Sequence, residues 1–260
     1  MDLDKVEKEI NKIKRIKYSH AKLARIYSLI ENLLEEGYAY GITEVAIAFE
    51  KIIDIKVAED AVLCLKDPDA SIRFAKFIAK ANIKAHEQLI FDADDPSLSC
   101  HFATVPGADV FAHSKIILKH NSPFYSLLFA KDYPRIDKDK HEKVILDSKN
   151  PFYSYKYCKH VRGANIKKHE KIYAELKNDI FSYLFAKDIK GANIKMHEQI
   201  VLEHGDVEQC MLFAQEIPEA NIDEHIKVII LADDKKYDEY IIELIKLKRA
   251  RILQKEEQKQ

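Results

Sequence analysis

The sequence predicts an all-α fold, an α-solenoid of stacked two-helix repeats with helical caps at both ends. Three observations predict it. A phrase with a central histidine recurs at a nearly constant interval, a phrase with an aromatic residue before a small one recurs in step with it, and helix-capping residue types precede both. Self-similarity with a period of about 28 residues is typical of repeat proteins, in which each unit buries its apolar face against the next.

The histidine phrase is clearest in GANIKKHEKI at 163–172 and GANIKMHEQI at 191–200. Its successive intervals agree to within one position, and its histidines are His86, His113, His141, His169, His197 and His225. The second phrase runs in the same register as Phe74-Ala75, Phe102-Ala103, Phe129-Ala130, Tyr157-Cys158, Phe185-Ala186 and Phe213-Ala214. Because the two phrases keep step, we expect about seven units, each a pair of short helices named A and B.

Helix A is predicted to begin at residues whose side-chain oxygens can accept hydrogen bonds from free backbone amides, namely Asp67, Asp95, Ser122, Asn150, Asn178 and Asp206. Proline follows the first four, at the first helical position, where an N–H group is not needed. We expect helix A to end near Gly107, Gly163 or Gly191, because glycine adopts left-handed backbone angles without strain.

Helix B is predicted to begin at Asp54, Asn82, Asp109, Asp137, Asn165, Asn193 and Asn221. In the best-kept unit, Ile194, His197, Ile200 and Val201 lie on one face of this helix. Glu224 stands three residues after Asn221 and predicts an approximate capping box. The helix B that begins at Asp54 has alanine in place of histidine, and 43–53 is predicted to be its helix A.

The repeat divides the chain into an N-terminal helical cap at 1–42, an array at 43–233, and a C-terminal capping helix and tail at 234–260. Residues 4–36 are predicted to form one long helix or a helical hairpin, and Asp234 is predicted to cap the last helix. Terminal units of solenoids present a polar outer face, a role that KLKRARILQKEEQKQ at 246–260 is expected to fill, with its last residues frayed.

Composition narrows the classes of function. The formal net charge is -1, so no global field attracts nucleic acid or an anionic membrane, and any such binding would need a local patch. The four cysteines form no C-x-x-C pair, and no segment is typical of a signal peptide or a membrane span. These features predict a soluble cytoplasmic protein with free thiols.

The histidine register could suggest a metal or catalytic site. His-Glu pairs begin at His86, His141, His169 and His197, but the residue four positions after each histidine is Ile90, Ile145, Tyr173 and Val201. The second histidine of an H-E-x-x-H zinc motif is therefore absent. Histidines of adjacent units would also lie about 8–10 Å apart, too far to share one zinc ion. The sequence predicts no catalytic residue, no metal and no cofactor.

The histidines are instead interpreted as structural parts of the repeat that hydrogen-bond a neighbouring loop carbonyl or N-cap side chain. Burial would lower their pKa, so acid would charge several of them and loosen the stack. The adjacent glutamates, such as Glu170 and Glu198, are expected to complement the dipole of helix B.

Positions that vary on helix B point away from the core and are the candidate partner-binding residues. They are Lys84, Phe111, Lys115, Lys140, Lys143, Lys167, Lys168, Lys171, Lys195 and Met196. The middle of this row is basic and its C-terminal end is acidic, so it could bind a nucleic-acid backbone or an acidic protein, or it is simply a solvated face. The helix-A tyrosines Tyr125, Tyr153, Tyr155 and Tyr183 are core residues or, where exposed, interface anchors.

The phrases FAKDIKGANIK and HEQIVL resemble helix-hairpin repeat proteins of AT-rich bacteria and their phages. The resemblance covers roughly residues 54–245, and to HEAT and tetratricopeptide solenoids the chain is similar in architecture only. It implies a non-catalytic protein-binding scaffold, an inhibitor or adaptor that docks on a larger host complex such as a defence nuclease. The expected partner is another protein or a ribonucleoprotein complex, with no membrane and no small-molecule substrate. The alternatives are a nucleic-acid binder that uses the basic helix-B row and, third, an enzyme with a site of scattered residues.

Overall fold

The computed structural model describes residues 1–257, and every regular element in that range is helical. Its α-helices are α1 Leu3–Lys14, α2 Ser19–Glu35, α3 Ala39–Phe49, α4 Ile55–Leu65, α5 Pro68–Phe77, α6 Ile83–Ala93, α7 Pro96–Phe102, α8 Val110–Lys119, α9 Pro123–Asp132, α10 Lys138–Asp147, α11 Pro151–His160, α12 Ile166–Leu176, α13 Asp179–Asp188, α14 Ile194–His204, α15 Val207–Glu216, α16 Ile222–Leu231 and α17 Asp238–Glu257. The pairs from α3–α4 to α15–α16 are the predicted A and B helices, so the predicted α-solenoid of helical repeats is confirmed.

The chain divides into two compact units, 1–125 and 126–260, and the division falls within α9. In each unit, helix A packs on its own helix B and on the next helix A, while helix B packs on the next helix B. The aromatic residue of the repeated pair is buried in every unit, as Phe74, Phe102, Phe129, Tyr157, Phe185 and Phe213. Each of these rings fills the space between the two helices of its pair, which is why the pattern recurs without interruption.

The predicted caps locate the helix starts. Five of the six helix-A caps and six of the seven helix-B caps accept a hydrogen bond from a backbone amide of the first turn. Of the other two, Ser122 directly precedes α9, and Asn221 precedes α16 without a side-chain capping bond. The predicted capping box is therefore wrong, and the Glu224 carboxylate instead pairs with Lys227 at 2.7 Å.

The first repeat begins earlier than predicted. Residues 4–36 form the hairpin of α1 and α2, and α3 begins at Ala39 instead of residue 43. Gly37 has a φ of 69° and turns the chain, so a new helix can begin at once. Thr43, the predicted helix start, lies inside α3, where its hydroxyl donates to the carbonyl of Ala39 at 3.1 Å.

Left-handed residues end helix B, not helix A. One residue shortly after the end of each helix B has a positive φ, between 47° and 75°. These residues are Lys66, Asp94, Asn121, Lys149, Lys177, Gly205 and Asp233. Gly163 and Gly191 also have a φ of 90°, but they lie in the turn between helices, three residues beyond the end of helix A. The predicted glycine stop is therefore displaced, because helix A ends at Val161 and Ile189 in extended conformation.

The C-terminal helix closes the second unit. Asp234 caps a single 3-10 turn at Lys235–Tyr237, and α17 follows directly. The Arg251 guanidinium donates to the carbonyls of Ala214 and Gln215, both at 3.0 Å, and so satisfies the free end of α15. The exposed side of α17 is mixed: Lys246, Arg249 and Gln254 are exposed, as the sequence predicts for 246–260, but Ile252 and Leu253 are exposed beside them, and Ile242 and Ile245 just before. The expected fraying concerns 258–260, which lie outside the described residues.

Candidate interaction surfaces

Each repeat histidine is buried against the aromatic residue of its own helix A. Every one of the six is 0% exposed, and the ring centroids lie 5.1 Å apart for Phe74 and His86 and 5.0 Å apart for Phe185 and His197. The two phrases that recur in step along the sequence are therefore in contact in space. The predicted structural role of the histidines agrees with this packing.

Five of the six histidines also face a carboxylate of the preceding helix B, the exception being His141, which Ser114 precedes in this register. In the first unit, Nε2 of His86 lies 3.4 Å from Oε1 of Glu59, and the His113–Glu87 distance is 3.3 Å. In the second unit, the distances are 3.3 Å for His169–Glu142, 3.8 Å for His197–Glu170 and 3.2 Å for His225–Glu198. For these five histidines the nearest polar partner is therefore a glutamate, and not the predicted loop carbonyl or N-cap side chain.

The same glutamate oxygen holds the start of the next helix B. It accepts the backbone N–H of the N-cap residue at 2.5–2.6 Å, in the pairs Glu59–Asn82, Glu87–Asp109, Glu142–Asn165, Glu170–Asn193 and Glu198–Asn221. We call each set of a glutamate, the next N-cap amide and the next histidine a carboxylate link. The expected interaction of Glu170 and Glu198 with the helix dipole leaves out their main contact, because both are buried and bind the following unit.

Burial determines the electrostatics of the links. It lowers the pKa of His86, His113, His141 and His197 to about 4, so these imidazoles are neutral at physiological pH. Burial also raises the pKa of Glu142, but the hydrogen bonds from His169 and from the Asn165 amide outweigh it and leave the pKa below its usual value. Because these histidines are shielded from solvent, they can stabilise the array but cannot reach a substrate in this conformation.

Metal-ligating side chains do not converge. Within 1–257, no group of three or more His, Cys, Asp or Glu residues has the arrangement needed to hold a metal ion. None of the helices described is long and apolar enough to cross a bilayer. The four cysteines are all free thiols, and Cys64 alone among them is exposed.

A second repeated network joins the C-terminal halves of helix A in the second unit. Tyr155 and Tyr183 are buried, and their hydroxyls donate to Asp188 and Glu216 of the following helix A. Lys159 binds the Tyr155 hydroxyl at 2.7 Å and the Asp188 carboxylate at 2.6 Å. Of the four tyrosines considered as anchors, these two are therefore used inside the array, while Tyr125 and Tyr153 are half-buried.

The candidate partner-binding residues on helix B lie largely where the sequence places them, on the surface. Nine of the ten are exposed, and Met196 is half-buried against the cluster of Tyr173 and Phe185. Lys84, Phe111 and Lys115 belong to the first unit and the rest to the second. Carboxylate links hold α10, α12 and α14 side by side, so the structure brings together Lys143, Lys167, Lys168, Lys171 and Lys195.

An exposed apolar row in the second unit was missed by the sequence reasoning. Phe152 and Ile180 occupy the second position of α11 and α13 and are 42% and 50% exposed, and Leu176, at the end of α12, is 46% exposed. The half-buried Phe181 supports Phe152 from below, with ring centroids 6.0 Å apart. The second position of helix A is also apolar in α9, where it is Phe124. It is polar in three other repeats, where it is Asp69, Ser97 and Glu208. An alignment of the repeats could have revealed this contrast.

Known proteins add no further constraint at this point. No family model, no curated protein and no solved structure matches this chain. The resemblance to repeat proteins of AT-rich bacteria and phages therefore stays a prediction, and the two surfaces alone bear on function.

Proposed function

We propose that this chain is a non-catalytic protein-binding scaffold, and that the exposed apolar row of Phe152, Leu176 and Ile180 is its docking site. The observation that carries the proposal is the contrast within one register. Phe152 and Ile180 stand at a solvent-exposed position that is polar in three other repeats. Because the helices form equally well with serine or glutamate there, helix formation does not require large apolar groups at this position, although Phe152 does contact Phe181.

The surroundings of the row suit a protein interface. Apolar and aromatic side chains gain about 25 cal/mol for each Å² removed from water, so they gain most when a partner covers them. Ion pairs flank the row, with Lys149 3.0 Å from Glu175 and Lys177 2.9 Å from Glu203. An apolar centre with a polar rim is the usual anatomy of a protein interface.

The carboxylate links favour this use of the row. They fix α12 to α10 and α14 to α12, and the Tyr155 hydroxyl that donates to Asp188 joins α11 to α13. The side chains that the row presents are therefore ordered before a partner arrives. A preorganised surface loses little conformational entropy on binding. The resemblance to phage-encoded repeats makes an inhibitor or adaptor of a host defence complex the first partner class to test, and the free thiols suit a reducing compartment such as the cytoplasm.

The test compares partner capture by the wild-type chain and by the double variant Phe152→Ser, Ile180→Glu. Serine and glutamate occupy the same register in other repeats, so the array tolerates them. We expect the immobilised wild-type protein to retain a defined protein from a lysate of its native host. The purified partner should then bind the double variant at least 100-fold more weakly, because two anchors at ~1.5 kcal/mol each are lost.

The matched control is Ile52→Ser, Val57→Ser, which removes two exposed apolar side chains of the first unit. It should bind the partner as the wild-type chain does. Equal affinity of the wild-type chain and the double variant for every purified partner would rule out the row as the docking site. Equal losses for the double variant and the control would show general adhesion instead of a site.

A further inference from the structure

We propose that a second surface of the second unit binds the phosphate backbone of a double-stranded nucleic acid without reading its sequence. This surface is the basic strip, defined as Lys143, Arg162, Lys167, Lys168, Lys171, Lys190 and Lys195. It lies on helix B and on the turns that precede it, away from the apolar row. The proposal stands on its own observations and does not depend on the docking site.

The repeat geometry brings the seven cations of the basic strip together. The Asn165 amide is held at 2.5 Å by Glu142 and the Asn193 amide at 2.6 Å by Glu170, so α10, α12 and α14 begin side by side. Lys138, at the start of α10, donates to the Arg162 carbonyl in the adjacent turn at 3.3 Å. With adjacent helices about 8–10 Å apart, the strip extends over about 20 Å.

The seven cations of the strip are exposed and carry no ion pair in the part of the chain that the structure describes. Most of the carboxylates that could neutralise them are used elsewhere: Glu142 and Glu170 are buried in carboxylate links, and Glu175 and Glu203 pair with Lys149 and Lys177. Asp139, in the first turn of α10, is exposed and offsets one of the seven charges. The strip is thus a strong local excess of positive charge on a chain whose formal net charge is -1.

Helix stability does not explain these lysines. Lys167, Lys168 and Lys195 lie in the first turns of α12 and α14. The helix dipole makes the N-terminal end partly positive, so a cation there costs a few tenths of a kcal/mol and an anion would be favoured. The next unit in the row shows the usual choice, since Asp223 and Glu224 take the corresponding positions of α16. The sequence therefore places lysine against the local preference in two adjacent helices.

The composition of the strip favours nucleic acid over an acidic protein. Protein interfaces are depleted in lysine and centre on buried aromatic or large apolar groups, whereas the apolar side chains next to the strip, Ile166, Ile194 and Met196, are half-buried against the core. Lysine is a point charge suited to phosphate contacts, and a single arginine offers little bidentate reading of base edges. The strip also lacks the exposed aromatic rings on which single strands stack. Along the axis of a duplex each strand carries one phosphate per 3.4 Å, so a strip of about 20 Å passes about six phosphates.

The test measures binding of the full chain to a fluorescent 20-base-pair duplex by anisotropy between 50 and 400 mM NaCl, with two unrelated sequences as probes. We expect equal affinity for both duplexes and a log–log salt slope of about 4–6, since each neutralised phosphate contributes about 0.9. The triple variant Lys167→Gln, Lys168→Gln, Lys195→Gln should lower the slope by about 3 and weaken binding at 100 mM NaCl at least tenfold.

The control variant is Lys149→Gln, Lys177→Gln, Lys236→Gln, which removes the same charge from lysines that are ion-paired within the chain. It should bind the duplex as the wild-type chain does, and circular dichroism should show both variants equally helical. Three results would overturn the proposal: no duplex binding at 50 mM NaCl, equal losses for the two variants, or a preference for polyglutamate over duplex. The last result would instead identify the strip as a site for an acidic protein.

Discussion

Oε1 of Glu198 lies 3.2 Å from Nε2 of His225, and the same atom accepts the backbone N–H of Asn221 at 2.5 Å. One buried oxygen thus joins the helix B of one unit to both the start and the middle of the next helix B. Equivalent links recur in both units of the chain. Buried polar groups of this kind are costly unless they are satisfied together, so the links should respond sharply to pH and to substitution.

Acid should unfold the array through its histidines. Four of them have a pKa of about 4 in the folded state against 6.5 for the free side chain, so the unfolded chain binds more protons between these values. Their stabilising contribution is complete above pH 6.5 and is lost as the pH falls toward 4. At pH 5 the loss is about 2 kcal/mol for each histidine, or about 8 kcal/mol for four, which is comparable to the whole stability of a domain.

The measurement is the thermal midpoint by circular dichroism from pH 8 to pH 4.5. We expect a plateau above pH 6.5 and a steep fall below pH 6. Glu59 acts in the opposite direction, because burial raises its pKa and protonation relieves that cost. Because one glutamate opposes four histidines, the net effect of acid is still to destabilise the protein. A midpoint that is constant between pH 7.5 and 5.5 would contradict the prediction.

Removing the whole carboxylate of Glu170 should destabilise the protein more than neutralising its charge. In Glu170→Ala, the Asn193 amide loses its acceptor in a buried site and His197 loses the carboxylate that lies 3.8 Å from its Nε2, and we expect a loss of about 2–3 kcal/mol in the free energy of unfolding. In Glu170→Gln, the amide oxygen can still accept the Asn193 N–H, so about 1 kcal/mol should be lost. Urea denaturation measures both values, and Glu175→Gln, on an exposed ion pair, is the control and should change stability by less than about 0.5 kcal/mol. Equal losses for the alanine and glutamine variants would show that the link does not act through its oxygen.

At the positions after helix B that have left-handed backbone angles, glycine should be more stable than the residues that now occupy them. Lys66 has a φ of 52° and forms no ion pair within the described chain. Lys66→Gly should stabilise the protein by about 0.5–1 kcal/mol, because the left-handed region is strained for residues with a Cβ atom. Conversely, Gly205→Ala should destabilise it by about 1 kcal/mol, although no atom lies within 4 Å of the added Cβ. Thermal melts of the two variants should therefore move in opposite directions, and a shift of both in the same direction would be inconsistent with backbone strain.

The tyrosine network should contribute less than the carboxylate links. Tyr183→Phe removes the hydroxyl that donates to Glu216 and accepts from Lys187, at the edge of the buried region. We expect a loss of about 1 kcal/mol in the free energy of unfolding, with the helical content unchanged. Tyr153→Phe, at a half-buried tyrosine outside the network, is the comparison. A Tyr183 variant as stable as the Tyr153 variant would show that the network forms without a net gain.

Local chemistry explains which parts of the fold could be predicted from the sequence. Caps such as Asp67 and Asn193 act within a few residues, so the capping motif alone locates the helix starts. The buried role of Glu170 depends on an amide 23 residues away, which no local pattern contains. The repeat did hold a signal, because Glu59 keeps the register even in the helix that has alanine in place of histidine. That glutamate serves His86 of the following unit.

The errors at the chain ends have the same origin. The start of α3 and the exposed apolar residues of α17 lie at the two ends of the repeat array, where the sequence no longer repeats. Comparison with other units therefore could not predict them. Phe152 and Ile180 were overlooked for another reason. Next to a cap and a proline, an apolar residue resembles a core position, and only the packing shows that it points to solvent. The basic helix-B row was visible in the sequence because lysines are read as exposed wherever they occur.

The carboxylate link also has a direction, because each glutamate reaches forward to the next unit. A segment one period long that contains a His-Glu pair, such as that of His169 and Glu170, carries one glutamate to give and one histidine to receive it. The segment of His113 does not, because Ser114 stands in place of the glutamate. Copying a segment with the His-Glu pair in place would therefore create a matched joint at both of its ends without a new side chain. Duplication of such units can lengthen the array, and with it the apolar row and the basic strip, while each new joint stays chemically complete.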